Sequence, residues 1–287
     1  MKIGYLVSGK LGFLILERFY NSFNTVFIAT DSKSDLIIKF ANEKNISLYI
    51  GNPRKGKLRE FIKNLKIDVL FSINYLFLIE KDIIELSKYP INLHGSLLPK
   101  YRGRTPHVWA IINNEDHTGI TAHIIDEGCD TGGVVLQKAV EISSTDTGAD
   151  ILRKFEIIYP EMILEIVNLI EIDKIVVCPQ DNTKATYFCK RTKEDGAINW
   201  DWQKERIRNW VRAQAFPYPG AFSVLEGKKI IIDKIAFSNI GFCQNDPNGL
   251  VLSTRPDVVI KTSNGAVLLE IVRSNKNIIK KGKILGK

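Results

Sequence analysis

Between Pro90 and Gln137 the chain reads PINLHGSLLPKYRGRTPHVWAIINNEDHTGITAHIIDEGCDTGGVVLQ, and three side chains in it could do chemistry together. Ile91-Asn92-Leu93-His94 has the alternation of a strand, so Asn92 and His94 share one face at its end. An amide donor beside an imidazole that titrates near neutral pH can stabilise a developing oxyanion and move a proton. Leu97-Leu98-Pro99 then closes the loop with an apolar wall. Thirty-six residues after His94, Asp130 lies in Asp126-Glu127-Gly128-Cys129-Asp130-Thr131-Gly132-Gly133, whose glycines let the loop fold close to a ligand. An Asp130 that reaches His94 is expected to raise the imidazole pKa and to fix the ring's orientation. The trio suits attack of an amine on a carbonyl, with no metal and no covalent enzyme intermediate. Taken singly, Asn92 also reads as a turn residue, His94 as a core histidine and Asp130 as a turn cap. His107, His117 and His123 are expected to be structural or surface residues.

The elements that must position these residues show in the hydrophobic pattern. KIGYLVSG, NTVFIAT, SLYI and VLFSINY read as buried strands. Between them lie helical stretches: one through Phe13, Leu14, Leu16 and Phe19, one with Leu36, Ile37 and Phe40 started by Asp31 or Ser32, and KLREFIKNLK. This alternation predicts an α/β fold, a Rossmann-like doubly wound, mostly parallel sheet that binds ligands beyond the carboxyl ends of its strands. Ser8-Gly9-Lys10-Leu11-Gly12 reads as the first strand-end loop; it is neither a G-x-G-x-x-G fingerprint nor a P-loop. Lys10 there reads equally as an anion contact and as a solvated turn residue. A helix capped at Thr145, Asp146 or Thr147 is expected to run to about residue 172, kinked at Pro160. Residues 173–205 read as a connector, with a short helix at 203–214. Beyond it, β-branched runs with hairpin turns, Asn264-Gly265 the strongest, predict a small C-terminal β-rich, OB-like barrel domain. The expected division is a catalytic domain at 1–189, a linker at 190–205 and the β-rich domain at 206–287.

Composition narrows the classes. A chain of 287 residues, 45% hydrophobic and 25% charged, can bury two cores and is not disordered, collagenous or coiled coil. No apolar run is long enough to span a membrane, and MKIGYLVSGKLG lacks the features of a signal peptide, so a cytoplasmic enzyme is expected. Cys129, Cys178, Cys189 and Cys243 are scattered and the histidines show no zinc pattern; reduced thiols and no metal site are expected. The net charge of +8 is uneven, since from Lys190 onward 18 Lys and Arg face 9 Asp and Glu. Five of those lysines fall in the last 12 residues, so the charge is expected in the tail and not interleaved with aromatics on the barrel. Such a basic third fits a phosphate-bearing partner or a plainly solvated surface.

The run Asn92-Leu-His94-Gly-Ser-Leu-Leu-Pro99-Lys-Tyr-Arg102-Gly103, with Asp130-Thr-Gly downstream, resembles the formyltransferase family that uses 10-formyltetrahydrofolate. The likeness extends over nearly the whole chain. It implies that Asn92, His94 and Asp130 are catalytic, with Asn92 and a protonated His94 on the oxyanion and Asp130 holding His94 charged. It also implies folate contacts from Tyr75, Phe77, Leu78 and Ile79, from Gly95 and Ser96, and from the loop carrying Asp126 and Gly128. Gly103-Arg104-Thr105-Pro106-His107-Val108-Trp109 and the PYPGAF run look like the branch that formylates dTDP- or UDP-linked amino sugars for O-antigen or another cell-surface polysaccharide. The branch acting on methionyl-tRNA is the alternative, with the basic third as its contact surface. The partners implied are thus the folate and a nucleotide-diphosphate amino sugar, without a membrane and, on the sugar reading, without nucleic acid. Lys10 and Arg104, with Thr105 beside them, are candidates for the sugar nucleotide on charge grounds. Tyr187, Phe216, Tyr218 and Phe222 could stack on its base or simply pack the core, and exposed C-terminal hairpins offer a homodimer edge.

Overall fold

Strand β1 (Lys2–Val7) is buried from Ile3 onward, as a strand covered on both faces must be. In the computed structural model, which describes residues 1–274 and 276–286, it is followed by α1 (Gly9–Phe19), β2 (Asn24–Thr30), α2 (Asp35–Glu43), β3 (Leu48–Ile50), α3 (Lys57–Ile62), β4 (Ile67–Ile73), α4 (Lys81–Ile84) and β5 (Ser87–His94). β1 pairs in parallel with β2 and β4, β2 with β3, and β4 with β5. After β6 (Arg102–Gly103) and α5 (Pro106–Ile112), β7 (His117–Ile124) runs antiparallel to β5, and β8 (Val134–Glu141) completes the order β3-β2-β1-β4-β5-β7-β8. The mostly parallel Rossmann-like sheet is therefore present, with an antiparallel pairing on the side that carries Asn92 and His94.

Two starts differ from the sequence reading. α1 begins at Gly9, so Ser8–Gly12 is not a loop but the end of β1 and the first turn of a helix. α2 begins at Asp35 because Asp31 first makes a turn: its carboxylate accepts from the Lys33 N–H at 2.8 Å and the Ser34 hydroxyl at 2.7 Å. α6 (Gly148–Glu171) fills the long helix expected, and Pro160 sits inside it without ending it. Its start is a reciprocal cap, in which the Asp150 N–H donates to Thr147 Oγ1 at 3.2 Å and the Thr147 N–H donates to Asp150 Oδ2 at 2.8 Å. Within the expected connector, β9 (Tyr187–Phe188) pairs in parallel with β6.

The chain forms two compact units that are not consecutive in sequence. One comprises residues 1–103, 119–140 and 154–188, the other 104–118, 141–153 and 189–287. In the second, α7 (Lys204–Ala213) precedes β10 (Ala221–Leu225), β11 (Lys228–Ser238), β12 (Val251–Ser253), β13 (Val259–Thr262) and β14 (Gly265–Val272). These strands form an antiparallel sheet in the order β10-β11-β14-β13-β12. Glu226 and Gly227 join β10 to β11 with φ of +49° and +75°, the two left-handed residues that the right-handed twist of a tight hairpin requires. The same unit holds α5, where the Asn209 amide of α7 donates to Asn114 Oδ1 at 2.8 Å. Among the described residues no helix is long and apolar enough to cross a membrane.

The α6 cap gives a stability test. Thr147→Ala removes a helix cap worth ~1 kcal/mol, so the urea midpoint should fall while the slope of the transition stays unchanged.

Candidate active site

Asn92 and His94 leave β5 on one face, and β7 lies against them in a register that sets Asn92 opposite His123 and His94 opposite Thr121. The Tyr101 carbonyl is 2.8 Å from His94 Nε2, so this nitrogen carries a hydrogen and donates it. Nδ1 of the same ring faces Asp130 Oδ2 at 3.6 Å, an ion-pair separation longer than a hydrogen bond. On His123, Nδ1 donates to the Ile124 carbonyl at 2.8 Å, which leaves Nε2 to accept from Asn92 Nδ2 at 3.1 Å. That bond orients the Asn92 amide, and the second hydrogen on Nδ2 has no partner among the described residues. His123, expected to be structural or at the surface, is 3% exposed and stands inside the site.

Asp130 has a φ of +56°, the left-handed region that costs a residue with a Cβ ~1–2 kcal/mol. The Gly103 N–H donates to its Oδ2 at 2.8 Å, and His123 Nε2 lies 3.6 Å from its Oδ1. Gly103 must be glycine to do this, because its φ is +105° and a Cβ would stand 2.2 Å from the Phe188 carbonyl oxygen. The Asp130 carbonyl accepts from Gln180 Nε2 at 2.9 Å, and the same nitrogen donates to the Gly132 carbonyl at 2.7 Å. Burial alone would raise the Asp130 pKa; His94, His123 and the Gly103 N–H outweigh it and hold the carboxyl well below the usual carboxylate range. For His94 the balance falls the other way. Burial pushes the imidazole below the ordinary histidine value, and the Asp130 charge and the Tyr101 carbonyl, which raise it, do not make up the difference. Asp130 does reach the ring and favours the imidazolium, as expected, while desolvation of a side chain 8% exposed acts against it and is the larger influence in the free protein. The state common to both residues at neutral pH is an ionised Asp130 beside a neutral His94. With Nε2–H fixed on Tyr101, the His94 lone pair is on Nδ1, where the carboxylate favours its protonation.

The segment expected to meet a folate follows β4. Tyr75 is buried with no partner for its hydroxyl, which burial raises in pKa; Phe77 and Ile79 pack against the core, and Leu78 is exposed. The main-chain groups of Phe77, Leu78 and Ile79 make no hydrogen bond among the described residues. Asp126 is tied within its own loop by the Thr131 hydroxyl at 2.7 Å and the Gly128 N–H at 3.2 Å, and Lys81 of α4 pairs with Glu127 at 3.1 Å. An orphaned buried hydroxyl, free peptide edges and apolar side chains fit a planar heterocycle rimmed with donors and acceptors. Gly95 is half-buried, whereas the Ser96 hydroxyl donates to the Lys100 carbonyl at 2.8 Å and so closes its own turn.

Of the residues expected at a second substrate, Lys10 lies on α1 with its ammonium 2.8 Å from Glu156, so its charge is already paired. Tyr187 is exposed, and its hydroxyl accepts from Arg102 Nη1. Arg104, Thr105 and Tyr218 belong to the second unit. There Arg104 is exposed, Thr105 precedes α5 with a φ of +50°, and the Tyr218 hydroxyl meets His107 Nε2 at 2.7 Å. Phe216 is exposed under the Arg273 guanidinium, and Phe222 lies under Lys229. Two residues important to the geometry, His123 and Gln180, were not singled out by sequence. The alternation Thr121-Ala122-His123 could have indicated the first; nothing local marks the second.

Residues 31–167 match the family described as Formyl transferase, and residues 190–285 match Formyl transferase, C-terminal domain. A methionyl-tRNA formyltransferase of Dictyoglomus thermophilum is 32% identical over 292 residues, covering 96% of this chain and 93% of its own. WlaRD, a sugar 3N-formyl transferase solved in the presence of dTDP and 5-N-formyl-THF, shares the fold with a TM-score of 0.71 at 22% identity, over 96% of this chain and 98% of its own. An N-formyltransferase from Helicobacter canadensis in complex with folinic acid and dTDP-3-aminofucose has a TM-score of 0.67 at 23% identity, over 93% and 97%.

Two measurements check the electrostatics and the amide geometry. In an NMR titration His94 should titrate below the ordinary histidine value, and Asp130→Asn should move it lower still, because the substitution removes a charge that favours the imidazolium. An upward shift in that variant would contradict the arrangement. His123→Phe removes the acceptor that aims Asn92, and turnover should fall by roughly tenfold or more, with the overall fold kept by circular dichroism.

Proposed function

This chain belongs to the formyl transferase family, and we propose that it moves a formyl group from 10-formyltetrahydrofolate to the amine of a nucleotide-linked amino sugar. The folate supplies an activated formyl carbon when bound. Phe77, Leu78 and Ile79 would hold its heterocycle through main-chain groups unpaired among the described residues, with Tyr75 packed in the core beneath them and Gly95 and the loop from Asp126 to Gly128 as further walls. Asn92 keeps one N–H free for the oxygen on which charge develops; removing such a donor typically costs ~10²–10³ in rate. His94, neutral at rest, would take the proton of the attacking amine on Nδ1, Asp130 stabilises the imidazolium so formed, and the same proton would pass from His94 to the folate nitrogen as its bond to the formyl carbon breaks, which restores the neutral ring. A positioned base of this kind typically contributes ~10²–10⁴-fold.

The sugar acceptor is favoured by the run from Gly103 to Trp109 and by PYPGAF, which look like the sugar branch; WlaRD, at 22% identity, shares the fold over 96% of this chain and 98% of its own. In the first unit the exposed Tyr187, its hydroxyl held by Arg102, offers a ring to a nucleotide base. O-antigen or a related surface polysaccharide is the destination such a product would have.

One set of contacts favours the second reading, methionyl-tRNA. Contrary to the expectation of a basic tail without interleaved aromatics, the second unit sets Lys204 and Arg208 over Phe237, Arg206 over Trp202, Lys229 over Phe222 and Lys261 over Phe242, at 3.6 to 5.1 Å from the ring centroids. Cations interleaved with aromatics are a pattern that single-stranded nucleic acid uses. The relative from Dictyoglomus thermophilum points the same way.

An acceptor panel separates the two. With 10-formyltetrahydrofolate and tetrahydrofolate release as the readout, turnover is expected with a dTDP- or UDP-linked 3-amino or 4-amino sugar and not with charged methionyl-tRNA. Turnover with the tRNA alone, falling steeply with salt, would replace the sugar reading.

A further inference from the structure

The segment from Gln180 to Phe188 has the composition of a connector, yet it touches the two residues whose main chain hydrogen-bonds to His94 and Asp130, and Asp130 itself. Tyr101 supplies the carbonyl to His94 Nε2, and Gly103 supplies the N–H to Asp130 Oδ2. Both sit on one short stretch that the 180–188 segment fixes from behind. The Tyr101 N–H donates to Thr186 Oγ1 at 2.8 Å, the Arg102 N–H to the Thr186 carbonyl at 2.9 Å, and β6 pairs with β9 so that Gly103 lies against the Phe188 carbonyl.

Between these two residues, Arg102 points the other way and is 1% exposed. A guanidinium cannot shed its charge, so when buried it needs acceptors. Its side-chain acceptors among the described residues are all neutral: Gln180 Oε1 receives Nε at 3.2 Å and Nη2 at 2.7 Å, Asn182 Oδ1 receives Nη2 at 2.8 Å, and the Tyr187 hydroxyl receives Nη1. The fork on Gln180 Oε1 determines which end of that amide faces Arg102. Its Nε2 must therefore face away, and it donates to the carbonyls of Asp130 and Gly132. Asp130 is the residue held in the left-handed region, and these are main-chain bonds on either side of the turn it makes.

We propose that Gln180 is a positioning residue for the reaction: locked at one end by Arg102, it holds the main chain of Asp130 so that the carboxylate faces His94. The 180–188 segment thereby ties the partners of both His94 and Asp130 to one frame. The inference rests on the reading of Asn92, His94 and Asp130 as the catalytic group.

Gln180→Glu keeps the shape and the acceptor for Arg102 but sets a carboxylate oxygen against two carbonyls where an N–H₂ stood. Thr186→Val, at an exposed position, removes the acceptor for the Tyr101 N–H with little change in volume. Each would be assayed for kcat with the best acceptor, for binding of 5-formyltetrahydrofolate by calorimetry, and for its urea midpoint. Because a displacement of about 1 Å at a reacting group can cost ~10²-fold, kcat should fall at least ~tenfold in Gln180→Glu and ~threefold in Thr186→Val, with folate affinity within ~threefold of native. A purely structural role would lower folate binding and kcat together with the folded fraction, and that outcome overturns the proposal. Native kcat in both variants overturns it as well. Where Gln180→Glu does not fold, Gln180→Asn, which keeps both ends of the amide but shortens its reach to the Asp130 and Gly132 carbonyls, decides by the same two criteria. His94→Ala is the control: if it turns over normally the reading of the site fails, whereas an inactive His94→Ala beside a fully active Gln180→Glu sinks this proposal only.

Discussion

Taking a carboxylate out of water costs several kcal/mol unless hydrogen bonds and nearby positive or polarisable groups replace its hydration. Asp130, with 15% of its side chain exposed, receives the Gly103 N–H on Oδ2 at 2.8 Å and lies 3.6 Å from two imidazole rings, either of which its charge favours in the protonated form. Those three groups come from β6, β5 and β7, so the carboxylate can stay ionised only if the three strand ends arrive together. The antiparallel pairing of β5 with β7 follows from this need, since it brings His123 beside Asn92 and within 3.6 Å of Asp130. The glycine at 103 follows too, because its N–H reaches the carboxylate only along a path that a Cβ would block.

The same burial that makes Asp130 demanding determines how the proton moves. A low-dielectric site tolerates one charge more readily than two unless they are closely paired, and here the resting charge is the carboxylate. His94 remains neutral and basic, with its lone pair turned toward the group that would stabilise its cation. Accepting a proton therefore converts a lone buried charge into an ion pair, and the electrostatic gain appears only as the reaction proceeds. That is differential stabilisation of the kind that raises rate instead of ground-state affinity. His123 contributes differently. Its Nδ1 hydrogen is held by the carbonyl of Ile124, its Nε2 orients the Asn92 amide, and the oxyanion donor is aimed before any substrate arrives.

Much of this was legible in the sequence, and what was missed shares a physical cause. The period of two put Asn92 and His94 on one face and the glycines drew notice to Asp130, but each residue also had an ordinary reading, and the resemblance to a known family is what joined them into a candidate catalytic group. The parallel strands, the long α6 helix and the C-terminal hairpins follow from hydrophobic periodicity and turn chemistry. Burial, however, is a property of the assembled core. Pairwise reasoning from Asp130 to His94 gave the right contact and the right direction for that contact, but weighed the attraction without the desolvation. Lys10 was placed at the right strand end, but its charge meets Glu156, 146 residues away in the chain, which no local pattern could reveal. Gln180 was invisible for a further reason: an amide in a polar connector carries no periodicity, and its role depends on Arg102 locking one end and two carbonyls receiving the other.

The charge of the second unit bears on the acceptor less directly than its magnitude suggests. A lysine or arginine laid over an aromatic ring keeps its outward N–H edge for an anion, so the pairs at Phe237, Trp202 and Phe222 suit a diphosphate as well as a phosphodiester chain, whereas Lys261 over Phe242 is buried and donates to Asn248. What separates the two ligands is the number of phosphates neutralised at once. A nucleotide sugar presents two, whereas a nucleic acid that engaged several of these cations would release a counterion for most phosphates covered, about 0.7 each for a single strand. The basic third of the chain therefore suits a phosphate-bearing ligand without choosing its carrier. The choice depends on whether those cations act singly or in concert.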